Sequence, residues 1–241
     1  MRLGAVLMPG QPAQLAEQAR KLEGEGFESI WSAHATGRGF LMTDPFIALA
    51  TAAAVTQSVE LGTAILQLPL YHPTDIAIKA ISLQQTSNNR FILGVGAGST
   101  ESDFVVHGKP FAERFDLFQQ TLSTLRTTLS DGSANGGNIG ANDAVPIFYG
   151  TWGKNVALAA TDYDGWIASG MKRTPEQCVD AINNYRSAGG SRAIVSTIQV
   201  TPDTDLGALG ATLSGYAEAG FDDAVVMVHN PAVLASVRAL V

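Results

Sequence analysis

One cysteine in 241 residues, Cys178, rules out a disulfide framework and a thiolate metal cluster, and it suits a reducing compartment. Charge is scarce too. Only 15% of residues are Asp, Glu, Lys or Arg against 46% hydrophobic, the reverse of what a disordered chain needs. The net charge of −7 argues against a nucleic-acid or anionic-membrane surface. No apolar run approaches the ~18 residues of a membrane span. The apolar start is broken at Pro9, too early for a signal peptide. His72, His107 and His229 lack metal-ligand spacing, Cys-x-x-Cys is absent, and no metal is expected. A Gly-x-Ser-x-Gly nucleophile elbow is missing as well. What these absences leave is an acidic, Ala/Gly-rich globule, expected in the cytoplasm and acting on a small molecule.

What is present is a regular alternation. Short apolar runs predict strands at Leu3–Met8, Glu28–Ser32, Val59–Leu68, Phe91–Val95, Val145–Tyr149, Gly165–Ala168, Ala193–Val200 and Asp223–Val228. Between them lie helical patterns. Asp44-Pro45 reads as a cap and first helical residue, Pro73 opens a second helix, and Phe115, Phe118, Leu122, Leu125 and Leu129 recur at three and four. Thr174-Pro175-Glu176-Gln177 has the residues of a capping box. One αβ turn occurs twice, as Glu25-Gly26-Phe27-Glu28 and as Ala219-Gly220-Phe221-Asp222. Asp131–Asp143, rich in Gly, Asn and Ala, predicts a flexible loop without core residues. Eight strand–helix units over residues 1–241, with no linker, match a single (β/α)8 barrel. A doubly wound open sheet is the alternative, since both bury parallel strands on two faces.

In a barrel the chemistry belongs at the C-terminal strand ends. His34 closes strand two and can exchange a proton or hydrogen bond with a ligand. Gly94-Val95-Gly96-Ala97-Gly98 resembles a dinucleotide loop, but Ser99 stands where the third glycine is needed and no acidic residue follows at the right distance. That excludes a nicotinamide fingerprint and leaves close backbone approach as the meaning of Gly96, Ala97 and Gly98. Gly150-Thr151-Trp152-Gly153 opens a helix, where free N–H groups favour an anion. Ser169-Gly170-Met171-Lys172-Arg173 adds two cations after the next strand. Together the two segments suggest a phosphate cradle. Asp164-Gly165 reads as the turn that starts strand six.

These segments, in this order, resemble the bacterial luciferase-like oxidoreductases. The matching residues include Asp44-Pro45, Val59-Glu60-Leu61-Gly62-Thr63, Tyr71-His72-Pro73 and Asn89-Arg90-Phe91-Ile92-Leu93-Gly94-Val95-Gly96-Ala97-Gly98. They continue through Asp103-Phe104 and Gly108-Lys109-Pro110-Phe111-Ala112-Glu113-Arg114 to Asp164-Gly165-Trp166. The resemblance implies a (β/α)8 barrel that binds reduced FMN or the deazaflavin coenzyme F420 at its C-terminal rim. It places His34 where many members carry an active-site histidine, although Ala33 replaces the acidic residue that usually precedes it. The family's strand-three bulge, often with a non-proline cis peptide, maps to Ala64-Ile65. Phosphate binding maps to Gly150–Gly153 and to the segment after strand six, where Lys172 or Arg173 resembles a basic residue of some deazaflavin enzymes. Asp103 stands where Glu is common. Members commonly exceed 300 residues, so trimmed insertions are expected, with Asp131–Asp143 as the remnant.

The resulting expectation is hydride transfer between coenzyme F420 and a small organic substrate. An FMN-dependent monooxygenase and a non-catalytic flavin-binding barrel remain as alternatives, and a homodimer is left open.

Overall fold

The computed structural model describes residues 1–140 and 145–241. Its main sheet holds eight long parallel strands: β1 (Arg2–Val6), β2 (Ser29–Ser32), β3 (Glu60–Thr63), β4 (Phe91–Gly96), β5 (Ile147–Gly150), β6 (Gly165–Ser169), β7 (Arg192–Val200) and β8 (Asp223–Val228). Each pairs with the next in sequence, β8 pairs with β1, and the ring closes into a barrel. Around it run α1 (Pro12–Gly24), α2 (Pro45–Ala53), α3 (Pro73–Thr86), α4 (Glu101–Val106), α5 (Arg114–Asp131), α6 (Asn155–Asp162), α7 (Pro175–Ser187), α8 (Leu206–Ala219) and α9 (Leu234–Arg238). None of these helices is long and apolar enough to cross a membrane.

Local chemistry sets the helix ends. The Asp44 carboxylate accepts from the N–H groups of Phe46 and Ile47 at 2.9 and 3.3 Å, with Pro45 at the first helical position. The Thr174–Gln177 capping box opens α7 as its sequence predicts. The repeated αβ turn proves to be one motif used twice. Gly26 (φ 85°) and Gly220 (φ 102°) are left-handed. The N–H groups of the following Phe27 and Phe221 reach back to the carbonyls of Leu22 and Tyr216, and both rings enter the core.

Strand pleating divides the apolar residues between two layers. Leu3, Ala5, Ala224 and Val226 face the helices, whereas Val6, Trp31, Ile92, Phe148, Ile167, Ile194 and Val225 fill the barrel. Trp31 dominates that interior. Gly62 lies beside it, where a Cβ would stand 2.2 Å from the indole ring. At the N-terminal mouth, Arg192 makes paired hydrogen bonds to Asp223 (2.8 and 2.9 Å) and to Glu60 (3.1 and 2.7 Å), and Arg2 joins the same cluster. That end is closed by salt bridges.

Two sequence expectations need correction, and one helix is added. Val59–Leu68 is not one strand: it breaks after Thr63 and resumes at Leu66–Gln67 before a 3-10 turn at Leu68–Leu70. Glu101–Val106 forms a helix that its sequence pattern did not predict. Within Asp131–Asp143, Ser133–Ala134 and Gly137–Asn138 pair as a hairpin and Ile139 packs against the core. The part of that segment from 141 on lies outside the described residues.

Candidate active site

The closed ring carries His34, Ile65, Gly96, Gly150 and Ser169–Arg173 to one end, the C-terminal mouth. Two extra residues shape it. Across β3, Gly62 to Leu66 spans four steps opposite the three from Ile92 to Val95. Ala64 and Ile65 therefore both face the interior layer, while Leu66 returns to the outer one. The bond between Ala64 and Ile65 is cis. The Ile65 side chain then lies against two glycines. A Cβ on Gly150 would approach it to 2.4 Å, and one on Gly96 to 2.8 Å. The second extra residue is in β7, on the opposite side of the ring. There Val195 to Ile198 spans the two steps from Ala224 to Val226.

His34 is fixed through its backbone. Its N–H donates to the Ile65 carbonyl at 3.2 Å, and its carbonyl accepts from Gln67 Nε2 at 3.0 Å. The ring packs against Tyr71 and lies edge-on to His107, with centroids 4.9 and 5.7 Å away. Its Nδ1 is buried without a hydrogen-bond partner. Burial, reinforced by His107 and opposed by Asp44 and Asp103, pushes its pKa down to about 4. The ring is neutral at ordinary pH.

Behind it stands a buried carboxylate with its hydrogen-bond partners. Asp103 has no exposed side-chain surface and accepts from Arg38 Nε and Nη2 (2.9 and 2.7 Å), from Gln67 Nε2 (2.8 Å) and from the Thr36 N–H. Burial raises its pKa, yet the Arg38 and Gln67 hydrogen bonds outweigh that and hold it below the usual carboxylate range. Asp103 thus pins the loop carrying His34 to α4. Arg38 and His107 were not legible as site residues in the sequence. The one signal was the position of Asp103 in the family-like run.

The loops after β4, β5 and β6 meet. Lys172 Nζ bonds Ser99 Oγ, which joins the loops of the two strands that flank β5. Gly153 is left-handed (φ 66°), and a Cβ there would meet nothing within 4 Å. Other members of the expected cradle have local employment. The Thr151 carbonyl accepts from Trp166 Nε1, and Arg173 stacks its guanidinium over Trp152 at 4.6 Å. Ala97 turns into the outer core, and Gly98 packs against the Gln67 amide. Gly170 donates to the Ser196 carbonyl at 2.7 Å, and Ser169 accepts from Lys172 N–H. Among the described residues, no group of three or more His, Cys, Asp or Glu could hold a metal ion.

A flavin-type group fits this mouth on two counts. Gly96 and Gly150 make room for the Ile65 side chain, which then backs the mouth, and Gly153 opens onto free space after the adjoining strand. Ile65, Gly96 and Gly150 would hold the ring, with Gly153 and Lys172 near its phosphate.

Known proteins are related to this chain in sequence and in fold. The sequence profile of the luciferase-like monooxygenase family matches residues 1–206. A putative coenzyme F420-dependent oxidoreductase of Mycobacterium tuberculosis is 33% identical over 69% of this chain and 55% of its own. The 4-hydroxyprotoasukamycin monooxygenase of Streptomyces nodosus subsp. asukaensis is 40% identical over 44% of this chain and 31% of its own. The chain thus spans about a third to a half of the length of these two relatives. In fold, it resembles an F420-dependent secondary alcohol dehydrogenase in complex with an F420-acetone adduct, with TM-score 0.81, 15% identity and coverage of 100% and 98%. It also resembles the oxygenating constituent of 3,6-diketocamphane monooxygenase from Pseudomonas putida, in complex with FMN, with TM-score 0.68, 17% identity and coverage of 92% and 80%. The chain belongs to the luciferase-like monooxygenase family.

Proposed function

We propose that the protein is an oxidoreductase that moves a hydride between coenzyme F420 and a small organic substrate. When bound, the deazaflavin supplies the hydride-accepting or hydride-donating carbon, and the barrel supplies position and electrostatics. The observation that carries this reading is the Lys172–Ser99 contact, a cation fixed between the loops on either side of β5 on an acidic protein.

Each residue then has a task. Ile65 supports one face of the ring, and Gly96 and Gly150 give the Ile65 side chain the room to do so. His34 stays neutral. With Nδ1 buried and unpartnered, the tautomer that costs least keeps its proton on Nε2, so the imidazole offers a donor to substrate. Asp103, Arg38 and Gln67 keep that imidazole in place. Phe40 and Leu41 are exposed on the same loop, and Val106 packs against its Gly37, which favours a substrate with apolar surface. The same reading takes residues 1–241 as one catalytic barrel in the cytoplasm. An FMN-dependent monooxygenase is the second reading, favoured by the 40% identity to a monooxygenase.

Side-by-side fluorescence titration of the purified protein with F420 and FMN separates the two. Lys172→Ala should weaken the phosphorylated cofactor about 10- to 100-fold, the scale of a charge-assisted hydrogen bond, and leave a dephosphorylated analogue almost unaffected. Equal weakening of both ligands, or of neither, removes the phosphate role.

A further inference from the structure

The extra residue in β7 lies between Val195 and Ile198, outside the groups that hold His34. Before it, Ile194 faces the barrel interior and Ala193 and Val195 face the helices. After it, Ile198 and Val200 face the helices. The parity has flipped, so Thr197 and Gln199 point inward where strict alternation would have put Ile198 and Val200. Gln199 confirms the direction, since its amide lies 3.3 Å from the sulfur of Met227, which packs on the interior cluster. This bulge sits across the ring from Ala64–Ile65, and each bulge is followed two residues on by a glutamine, Gln67 or Gln199. One wall is apolar. The other is hydroxylic.

Two features say the second wall is built for a ligand. Thr197 is left-handed at φ 64°, a conformation that a branched Cβ disfavours and that glycine would adopt freely. A side chain retained there is retained for what it contacts. The wall also holds unused donors. Ser196 and Thr197 share one hydrogen bond at 3.1 Å, which leaves one hydroxyl proton free. The Gln199 amide nitrogen has only a 3.5 Å carbonyl, that of Thr197, and the Met227 sulfur, while its oxygen is taken by His229 Nε2 at 2.7 Å.

We propose that Ser196, Thr197 and Gln199 form a donor wall that binds a carbonyl-type oxygen of the ligand, on either the cofactor ring or a ketone or aldehyde substrate. This rests on reading the mouth as a cofactor site.

The test titrates wild type, Thr197→Gly and Gln199→Leu with F420 and with FMN by fluorescence, and records thermal midpoints. Each variant is expected to weaken the cofactor about 3- to 10-fold, the scale of an uncharged hydrogen bond, with the midpoint of Thr197→Gly unchanged or raised. Loss of that size only in the response of the bound cofactor's absorption spectrum to acetone, a small ketone probe, would assign the oxygen to substrate. Unchanged affinities in both arms, or a fall in the Thr197→Gly midpoint together with its binding, would overturn the proposal while wild-type cofactor binding stands. A wild type that binds neither cofactor would sink the functional reading and this wall with it.

Discussion

A buried imidazole with no partner on Nδ1 is held neutral by its surroundings, and His34 is such a group. Burial is the larger cause, and His107 and Arg38 add to it against the pull of Asp44 and Asp103. An unfolded histidine titrates near ~6.5, so the folded pKa of about 4 is depressed. The folded state therefore binds fewer protons than the unfolded one between those values. Its stability from this group is full above ~6.5 and is lost as pH falls towards 4. Two outcomes follow. The His34 ring resonances should not shift between pH 8 and 6, and His34→Gln should flatten the loss of stability below pH 6.5. A midpoint near 6.5 for wild-type His34 would show that the ring is solvated instead. If the ring also contacts substrate, His34→Ala should lower turnover about 10²-fold, the usual scale for a positioned proton donor, with little change in thermal midpoint.

At the scale of elements, what limits the barrel is space inside it. Trp31 occupies the interior because Gly62 offers no side chain, and a Cβ at Gly62 would meet three indole carbons within 2.7 Å. The indole is wholly buried, and its Nε1 is tied to Ser29 Oγ at 2.8 Å, so it has nowhere to turn. Gly62→Ala should therefore cost about 1–3 kcal/mol, the overpacking range, and lower the melting midpoint by several degrees. Thr174→Ala is the gentler comparison. It removes one cap of α7 on the surface and should cost about 1 kcal/mol. A Gly62→Ala midpoint no lower than that of Thr174→Ala would mean that the interior is looser than its contacts indicate.

The whole molecule has two unlike ends. The C-terminal mouth collects His34, the Asp103 hydrogen-bond network and both bulges. The N-terminal mouth is closed by Arg2, Glu60, Arg192 and Asp223, from the first residues of β1, β3, β7 and β8. Asp223 has no exposed side-chain surface there, and Arg192 supplies two of its hydrogen bonds. Burial raises the Glu60 pKa, but Arg192 and Arg2 more than offset it and keep Glu60 below its ordinary value. Removing one partner from a buried ion cluster leaves a charge uncompensated, typically at a cost of about 3–5 kcal/mol. Arg192→Leu should lower the thermal midpoint by on the order of 10 °C and leave cofactor affinity unchanged at a temperature where the variant is folded. A loss of affinity with the midpoint intact would contradict this division of labour.

Periodicity and caps carried the fold. All eight barrel strands, and the helices from Asp44, Pro73 and Thr174, follow from apolar runs, proline positions and capping residues, because those signals are local. His34, Ala64-Ile65, Gly96, Gly150 and Lys172 were legible for a related reason. They stand at strand ends within runs that resemble a known family, and a barrel gathers strand ends at one mouth. The inward turn of Gln67 and Gln199 was not legible, because it depends on which way a strand turns after an extra residue. Arg38 and His107 were not, because they lie in connections placed by contacts across the mouth. A single inserted residue exchanges the inner and outer faces of everything beyond it, and mainly apolar runs without strict alternation, such as Val59–Leu68 or Ala193–Val200, do not state where that happens. The sequence by itself determined the eight strand–helix units and their order. Only the closed barrel decided which side chains share its interior, since that depends on contacts between residues far apart along the chain.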